Sequence, residues 1–563
     1  MPYYRRPSAI LSLAIVLLGS WPIPAHAAIT LNANFDSGSL KSYSVNGNTV
    51  NLVGRDSYAG SGNNLGDGHW RWLSFKATGV QGLNPTFSIS KNFAGDSVDD
   101  PSIERDDELY DHEMVYSYDG ENWEFFQNNQ LGATRYTFST QAPFTQNEVF
   151  VAYALPYTYA RTVAHTQTVL ASPWAAPTTS GNATGVIGQA PAGIDDIGRN
   201  IPSLDLFAYR ITNPATDSAI PKRRAMLVTG QHAAETLGMY TYEGLINWLI
   251  SDDPRAAALR DKAEFFGYPT LNASGRYAGL TRAMLQFPNT DSNGFWHPGP
   301  SGNNYNSPVR TEQKTNAQAM LTDEASSPGD SLDLFVDFHS SVPDYEIAAP
   351  NGLGSESPYD GQEGDFRDDW GYIRSGFEDN EWWQAFRELQ PNILQINSGS
   401  GPTSRTMTGF AQNDVYGLNA DMSVTFENQF AISRPISYYH DLGANAGLAM
   451  YEAWVRVANP VAGDFDEDGD VDSGDLKAWT LGFGVSLSAA HYQGDANDDG
   501  DVDGDDFLVW QRQIGFASQD ASQKAIPEPR GAWIAILSSA ILILNRRPYQ
   551  WVEASLANGK TPR

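Results

Sequence analysis

Two potential metal ligands, His232 and Glu235, lie three residues apart just after an apolar run. An imidazole and a carboxylate at this spacing can bind one zinc ion from a single turn of chain. His339, at the end of another apolar run, offers a third ligand. Two histidines and one glutamate leave a coordination position for water, as in hydrolytic rather than structural zinc sites. The pattern therefore predicts a metal-dependent hydrolase.

Glu427 ends a third apolar run, in Ser-Val-Thr-Phe-Glu427, and a carboxylate there could act as a general base. His232 and Glu427 could each have a purely structural role instead. His232 could be a loop histidine bonded to Glu235, and Glu427 could belong to a structural salt bridge. His339, one of only nine histidines in the chain, favours the metal site because it ends a strand-like run in the same way.

The candidate ligands follow apolar runs that alternate with amphipathic stretches, which predicts an α/β domain over residues 169–458. Residues 225–228 are typical of a buried strand, and residues 236–249 have helical periodicity. Ligand sites of open α/β sheets form at the ends of strands. The side chains predicted at such ends are His232, Asn272, His339 and Glu427.

Residues 28–168 alternate apolar and polar side chains in short runs broken by Gly, Asn and Asp, which is strand periodicity. An Asp-Gly pair between aromatic-rich runs, at Asp119, predicts a hairpin. We predict an antiparallel β-sandwich here. Residues 173–192, rich in Pro, Gly, Ala and Thr, are interpreted as a linker or an exposed crossing. The polar residues 352–384 are interpreted as an insertion near the site rather than as core.

Residues 459–517 contain two acidic loops in the same register, 31 residues apart. Each loop has oxygen donors at positions 1, 3, 5, 9 and 12 and a glycine at position 6, the spacing that binds calcium. With an apolar residue after each position 12, the loops resemble the loop-helix repeats of dockerin domains. We predict a small α-helical module with two structural calcium ions. The predicted ligands are Asp464, Asp466, Asp468, Asp470, Asp472, Asp475, Asp495, Asn497, Asp499, Asp501, Asp503 and Asp506.

Much of the formal charge of -31 is local to this module, because residues 464–506 hold 14 acidic residues and one lysine. The chain has no basic stripe that could follow phosphates, which excludes a nucleic-acid partner. It also has no cysteine, so no disulfide framework stabilises it. Large cores and bound metals must supply the stability instead.

Both ends of the chain resemble targeting segments. Residues 1–27 combine two early arginines, an apolar run and a small-residue cleavage site, which is typical of a secretory signal peptide. Residues 526–547 resemble a PEP-CTERM sorting signal: a Pro-Glu-Pro box, a short apolar run and two arginines. The tail, residues 548–563, is longer than such signals usually have. These features predict secretion or cell-surface display in a Gram-negative-type bacterium, with transient membrane association.

The order of these motifs resembles that of the zinc metallocarboxypeptidases, within them the cytosolic carboxypeptidase-like branch, over most of residues 30–455. In the amino-terminal part the resemblance depends on Trp70-Arg-Trp-Leu-Ser-Phe75, on Tyr118-Asp-Gly120 and on the aromatic-rich run from Phe150 to Tyr159. It implies a β-sandwich ahead of a peptidase domain that has a mixed central sheet with flanking helices.

The resemblance also implies roles for individual residues. The zinc ligands are His232, Glu235 and His339, the general base is Glu427, and Arg282 polarises the scissile carbonyl. Asn293 corresponds to the asparagine that contacts the substrate carboxylate, and Tyr416 is a candidate for the mobile tyrosine. Gly294 stands where the family has an arginine that grips the terminal carboxylate, and glycine offers no replacement.

We therefore expect an exported hydrolase that cleaves peptide or amide bonds with zinc-activated water. Two alternatives remain open. Gly294 could mark a deacylase or amidase that needs no free carboxylate, or the chain could be a non-catalytic surface binding protein. The calcium repeats could bind a cohesin-like partner, or they could form a calcium-stabilised spacer.

Overall fold

The computed structural model separates into two compact units, one up to Val455 and one from Arg456 onward. The predicted signal peptide, the sorting segment at 526–547 and the tail at 548–563 lie outside the described residues. The structure describes residues 28–55, 72–90, 114–132, 134–216, 222–286, 291–298, 310–326, 332–341, 369–398, 401–429, 434–455, 461–466, 469–486, 489, 491–497 and 499–516.

The first unit begins with two five-stranded sheets, in the orders β1-β4-β10-β6-β7 and β2-β3-β5-β9-β8. Their strands are β1 Thr30–Asn32, β2 Ser42–Asn46, β3 Thr49–Val53, β4 Ser74–Thr78, β5 Thr86–Ser90, β6 Met114–Ser117, β7 Glu124–Phe125, β8 Asn128–Leu131, β9 Arg135–Ser139 and β10 Glu148–Tyr153. An aromatic core joins the sheets. Phe75 of β4 lies 5.6 Å from Phe87 of β5, measured between ring centroids, and Phe87 stacks on Phe138 of β9.

Helix α1, Tyr159–Leu170, follows the two sheets and contains the predicted domain boundary at residue 168. Thr158 begins the helix by accepting a hydrogen bond from the backbone N–H of Arg161 at 3.1 Å. The Arg161 guanidinium then pairs with Glu243, a residue of the following part of the chain, at 2.6 Å. The helix therefore connects the two parts of the unit rather than ending the first.

A mixed eight-stranded sheet forms the centre of the second part, in the order β11-β16-β18-β17-β19-β22-β20-β21. The strands β17, β18, β19 and β22 are parallel to one another. The remaining strands of this part, including two short two-stranded pairs, are β11 Ala175–Pro177, β12 Val186–Ala190, β13 Gly193–Ile194, β14 Asn200–Ile201, β15 Leu204–Phe207, β16 Tyr209–Ile211, β17 Arg223–Thr229, β18 Ala263–Tyr268, β19 Leu334–Ser341, β20 Trp370–Arg374, β21 Leu394–Ser398 and β22 Met422–Gln429.

Helices cover both faces of this sheet, as predicted. Leu227 of β17 packs into a core with Leu245 and Leu442, whereas the next residue, Val228, packs into a core with Met320 and Phe410. Neighbouring residues of a strand point to opposite faces, so a strand buried on both faces is a continuous apolar run. The helices are α2 Thr236–Leu249, α3 Pro254–Lys262, α4 Ala273–Ala278, α5 Thr311–Glu324, α6 Glu381–Leu389, α7 Met407–Gln412 and α8 Ile436–Trp454.

Two interpretations of polar stretches were wrong. Residues 173–192 are not simply a linker, because they include β12 and β11, and β11 pairs with β16 at the edge of the central sheet. The described part of the predicted insertion at 352–384 contains β20, which pairs with β22 inside that sheet. Trp370, at the start of β20, is almost wholly buried.

The described part of the second unit contains two α-helices, α9 Ser473–Gly482 and α10 Gly504–Gln513, and a short 3-10 helix over His491–Gln493. Each α-helix follows one of the acidic loops. Phe465, Val471, Ala478 and Trp510 form a small apolar core. No helix in the described part of the chain has the length and apolarity needed to cross a membrane.

A candidate metal centre at the ends of the parallel strands

The three predicted zinc ligands meet at the ends of neighbouring parallel strands. His232 lies in the turn after β17, where Gly230 adopts a positive φ of 69° that favours glycine. Glu235 immediately precedes α2, and His339 lies near the end of β19. Because β17 and β19 are hydrogen-bonded neighbours, the turn after one strand lies beside the end of the other.

The side chains of these residues converge on Glu235. Nδ1 of His232 lies 2.7 Å from Glu235 Oε1, and Nδ1 of His339 lies 2.7 Å from Glu235 Oε2. One ligand atom from each of the three residues lies within 4.8 Å of the others. Both imidazoles are only 3% exposed, so the three side chains form a shielded donor set.

Each imidazole also contacts a second carboxylate through its other ring nitrogen. Nε2 of His232 lies 3.0 Å from Asp291 Oδ1, and Nε2 of His339 lies 2.8 Å from Asp337 Oδ2. A carboxylate on Nε2 keeps the proton there and leaves the Nδ1 lone pair for a metal, an arrangement typical of histidine-zinc sites. The two nitrogens and the glutamate therefore fit one zinc ion.

The charges around Glu235 keep its carboxylate ionised. Burial alone would raise the pKa of Glu235, but the two neighbouring imidazoles hold it well below its usual range. Burial alone would lower the pKa of His339, but Asp337 and Glu235 raise it well above its usual value. Acidic neighbours thus surround the imidazoles and give the pocket an excess of negative charge, which favours a divalent cation.

Glu427 lies beside the ligands in the central sheet. In the parallel register of β19 and β22 it is the partner of His339, and on its other side it is the partner of Trp370 in β20. The residue is partly exposed, but its Oε2 atom is buried and has no hydrogen-bond partner among the described residues. Burial raises the pKa of Glu427 to about 7, which is near the value that suits a general base.

Arg282 is also part of the site, although the residues around it in the sequence did not indicate such a position. Its Nη1 donates to Glu235 Oε1 at 2.9 Å, and its Nε donates to Asp291 Oδ2 at 2.9 Å. Its side chain is 20% exposed, so the guanidinium lies at the border between the ligands and solvent.

Asn293 is held by the loop that contains Asp291. Its side-chain oxygen accepts a hydrogen bond from the backbone N–H of Met407 at 3.0 Å. Among the described residues, a Cβ atom at the neighbouring Gly294 would meet nothing closer than 3.8 Å, the distance to the carbonyl oxygen of Asp291.

Tyr416 lies in the segment after α7. Its ring stacks on His297, with an interplanar angle of 3° and 6.1 Å between ring centroids. None of the contacts described for Tyr416 reaches the three ligands. The prediction that it is the mobile tyrosine is therefore not tested.

Three contributors to the site were missed in the sequence. Asp337 lies two residues before His339 on the same strand, and residues at this spacing face the same side, so the pattern contained this signal. Asp291 lies in a separate loop, and only the fold brings it to His232. The third is Arg276, which is 1% exposed and donates through Nη1 to the carbonyl oxygen of Ala233, between the two ligands of the turn.

Arg276 also links this turn to the first two sheets. Its guanidinium carbon lies 4.6 Å from the ring centroid of Trp72, and the Trp72 indole donates to the carbonyl oxygen of Ser37 at 2.8 Å. The backbone N–H of Ser37 in turn donates to the carbonyl oxygen of Tyr277, the residue after Arg276. Burial lowers the pKa of Arg276 to about 10, so the guanidinium is still charged at neutral pH.

The second unit has its own acidic cluster. One oxygen from each of Asp464, Asp466 and Asp475 lies within 4.8 Å of the others. Asp475 accepts from the backbone N–H groups of Asp466 and Asp472. In the second loop, Asp506 accepts from the backbone N–H groups of Ala496 and Asp503. In both loops the first aspartate accepts from the backbone N–H of the glycine at position 6, and of the predicted calcium ligands only Asp468 lies outside the described residues.

Parts of the sequence are similar to cytosolic carboxypeptidases. Cytosolic carboxypeptidase 2 of Danio rerio is 27% identical over 179 residues, which cover 30% of this chain and 23% of that protein. Cytosolic carboxypeptidase 6 of Mus musculus is 28% identical over 148 residues, which cover 26% of each. The matched region thus spans about a quarter of the length of these curated relatives. No protein-family model matches the sequence.

Solved structures show the same fold. A metallo-carboxypeptidase from Burkholderia cenocepacia superposes with a TM-score of 0.52 at 17% identity, covering 75% of this chain and 98% of that one. A metallo-carboxypeptidase from Pseudomonas aeruginosa, solved with (2-guanidinoethylmercapto)succinic acid, superposes with a TM-score of 0.51 at 21% identity, with the same coverage. The chain therefore has the metallocarboxypeptidase fold, and the proteins that it resembles are named as carboxypeptidases, a class of hydrolases.

Proposed function

We propose that this chain is a zinc-dependent hydrolase of the metallocarboxypeptidase type that cleaves peptide or amide bonds. One observation carries the proposal: two imidazole Nδ1 atoms and the Glu235 carboxylate converge, and the unbonded Oε2 atom of Glu427 lies on the adjacent strand. A structural metal site would need no such basic group beside it. The partial similarity to cytosolic carboxypeptidases supports the same reaction class.

Each residue has a chemical role in this proposal. Bound at His232, Glu235 and His339, zinc would activate a water molecule and polarise the scissile carbonyl. Glu427 accepts the proton of the attacking water and later delivers it to the leaving amine. Arg282 provides a fixed positive charge for the developing oxyanion, because its contacts with Glu235 and Asp291 hold it in place.

The decisive experiment compares the mature protein with a Glu427→Gln variant on peptides that have free or amidated C-termini, with products identified by mass spectrometry. We expect the wild type to cleave and the variant to lose roughly 10²- to 10⁴-fold in kcat, the usual contribution of a general base. Glu388→Gln, at an exposed position of α6, is the matched control. Equal behaviour of wild type and Glu427→Gln on every substrate would refute the hydrolase.

Zinc content tests the non-catalytic alternative. A hydrolase should contain one zinc ion for each chain, removable by a chelator with loss of activity. A surface binding protein with an inert site would purify without stoichiometric zinc. Loss of both histidines, in a His232→Ala and His339→Ala double variant, should abolish zinc binding if these residues are the ligands.

A deacylase or amidase is the second candidate, and Gly294 favours it. An arginine at this position would clamp a terminal carboxylate by two charge-assisted hydrogen bonds, and glycine removes them. A peptide amide or an acylated amine would then be cleaved about as well as a free-ended peptide. The peptide pairs of the decisive experiment distinguish these two activities.

The second unit supports a separate proposal of two structural calcium ions, one in each acidic loop. In each loop, five carboxylate or amide groups at the predicted spacing match the preference of calcium for oxygen ligands. We also propose that the protein is exported and displayed at the cell surface, on the evidence of the sequence at its two ends. Whether the repeats bind a cohesin-like partner can be tested by binding measurements with and without calcium.

A further inference from the structure

Glu235 and His339 must be held at a fixed separation to share one metal ion, although they belong to different kinds of element. His339 lies on β19, whose register with β17 and β22 is set by backbone hydrogen bonds. Glu235 immediately precedes α2, and no sheet register determines how closely a helix approaches a strand. A functional site tolerates displacement of its groups by only about 0.5 Å. Other contacts must therefore set the distance between α2 and β19.

Gly238, in the first turn of α2, allows the helix to lie directly against this strand. A Cβ atom at position 238 would lie 2.5 Å from the carbonyl oxygen of His339, 2.7 Å from its carbonyl carbon and 2.8 Å from its amide nitrogen. These are backbone atoms, so no side-chain rotation could relieve the contact. Because non-bonded atoms pack at about 3.5 to 4.0 Å, an alanine would force α2 and β19 apart by roughly 1 Å.

The backbone conformation does not explain this glycine. Gly238 is helical and does not have the positive φ at which glycine is favoured. Within a helix, glycine is less favourable than alanine, because it loses more conformational freedom on folding. The proximity of His339 is the feature that a side chain at this position would not allow. The helix thus has a weak helix former at the point where it meets a metal ligand.

Ser340 makes a second contact between the same two elements. Its hydroxyl accepts a hydrogen bond from the backbone N–H of Leu237 at 3.3 Å. The first N–H groups of a helix have no acceptor within the helix, and the side chain of the residue before the helix often supplies one. Here that residue is Glu235, whose carboxylate contacts His232 and His339 and makes no capping hydrogen bond. Ser340, the residue after His339, supplies the acceptor from the neighbouring strand instead.

We propose that Gly238 and Ser340 are positioning residues that fix the separation of Glu235 and His339, and with it the affinity of the centre for zinc. This inference rests on the proposed zinc-dependent function, and neither residue belongs to the ligand set. Gly238 permits the close approach of the helix, and Ser340 holds the start of the helix in that position. Together they do for Glu235 what the register of β19 does for His339.

The first test measures the zinc affinity of the full-length mature chain by competition with a chelator. Gly238→Ala should lower this affinity roughly 10- to 100-fold, the usual effect of changing a group that orients a metal ligand. Gly244→Ala is the matched control. It lies on the same helix, and its Cβ would also meet backbone, with Cα of His440 at 2.5 Å, but it is six residues farther along. It should lose thermal stability as Gly238→Ala does and retain the zinc affinity.

Ser340→Ala tests the hydrogen bond without adding an atom to the contact, and it decides the question if Gly238→Ala does not fold. We expect zinc affinity to fall roughly 10-fold, and we expect Ser340→Thr, which retains a hydroxyl, to restore most of it. The visible absorption spectrum of bound Co²⁺ gives a second measurement, because it depends on coordination geometry. It should change in Gly238→Ala and Ser340→Ala and stay as in wild type in Gly244→Ala and Ser340→Thr.

Unchanged zinc affinity and an unchanged Co²⁺ spectrum in Gly238→Ala and Ser340→Ala would overturn the proposal. An equal loss of affinity in Gly244→Ala would also overturn it, because the loss would then reflect the stability of the fold rather than the position of a ligand.

Peptide cleavage separates this inference from the proposed hydrolase. A wild type that binds zinc more tightly than the Gly238 and Ser340 variants but cleaves no peptide would refute the hydrolase alone. A wild type that cleaves peptides, with variants that bind zinc as tightly as it does, would refute the positioning role alone. A wild type that binds no zinc would refute both.

Discussion

Asp337 Oδ2 lies 2.8 Å from Nε2 of His339, and the two residues share one face of strand β19. Removal of the Asp337 charge should weaken zinc binding without removing a ligand, because the carboxylate orients the imidazole and raises its basicity. For Asp337→Asn we expect zinc affinity to fall roughly 10- to 100-fold, measured by competition with a chelator. Asp333→Asn, which alters a carboxylate bound to Arg223 in the same part of the chain, should leave the affinity unchanged.

The acid side of the pH-rate profile should report Glu427. Because burial raises the pKa of this carboxyl to about 7, it is protonated at lower pH and cannot accept a proton from water. Activity, measured as kcat/KM, should therefore rise with pH up to about 7, and the positive charge of bound zinc should move this rise to lower pH. Residual activity of Glu427→Gln should lack the rise. A profile with the same rise in that variant would assign it to another group.

Glu312 should make the first unit less stable as pH increases. It is 2% exposed, and burial raises its pKa to about 7 from 4.5, although Ser274 donates to both of its oxygens. The unfolded chain loses this proton near pH 4.5 and the folded chain only near pH 7. The contribution of Glu312 to the free energy of unfolding is thus complete below pH 4.5, falls between pH 4.5 and pH 7, and is lost above pH 7. The difference is about 3 kcal/mol if the whole shift is expressed.

Urea unfolding at pH 5 and pH 8 measures this effect. Glu312→Gln cannot ionise, so it should gain stability over wild type at pH 8 and gain much less at pH 5. The exposed Glu388→Gln should show no such difference between the two pH values. A Glu312→Gln variant that is equally destabilised at both values would show that the lost hydrogen bonds outweigh the charge.

Calcium should protect the second unit from proteolysis in the full-length mature chain. Without a bound cation, the carboxylates within each acidic loop repel one another. We therefore expect calcium to slow cleavage within residues 461–516 and a calcium chelator to accelerate it. Asp475→Asn and Asp506→Asn should each weaken the protection, whereas Asp505→Asn, an exposed residue outside the predicted ligand set, should not. Equal cleavage rates with and without calcium would count against the calcium loops.

The sequence predicted the parts of the site that follow strand patterns. His232, His339 and Glu427 each end an apolar run, and parallel neighbours bring such ends together. It could not predict contacts made by separate loops, and so Asp291 was missed. Arg282 was identified only by resemblance, because no local pattern distinguishes an arginine of the site from one on the surface.

The two errors in the fold have a common physical cause. Local composition was used to judge positions whose environment is set by distant strands. Pro177 suggested a linker, but an edge strand such as β11 tolerates proline because one of its sides makes no ladder hydrogen bonds. Trp370 was assigned to a polar insertion, but it pairs with Glu427 in the central sheet. Composition averaged over 20 or 30 residues conceals a five-residue strand.

The buried contact between Arg276 and Trp72 makes the turn of the metal centre depend on the part of the chain that precedes it. The turn that carries His232 and Glu235 receives one of its hydrogen bonds from an arginine whose guanidinium packs on the ring of Trp72, just before strand β4. Exchange of the first two sheets for a different β-domain would therefore leave a charged group in an unfilled cavity beside the ligands. A chimera joined between these sheets and the metal centre should therefore be less stable than the natural chain.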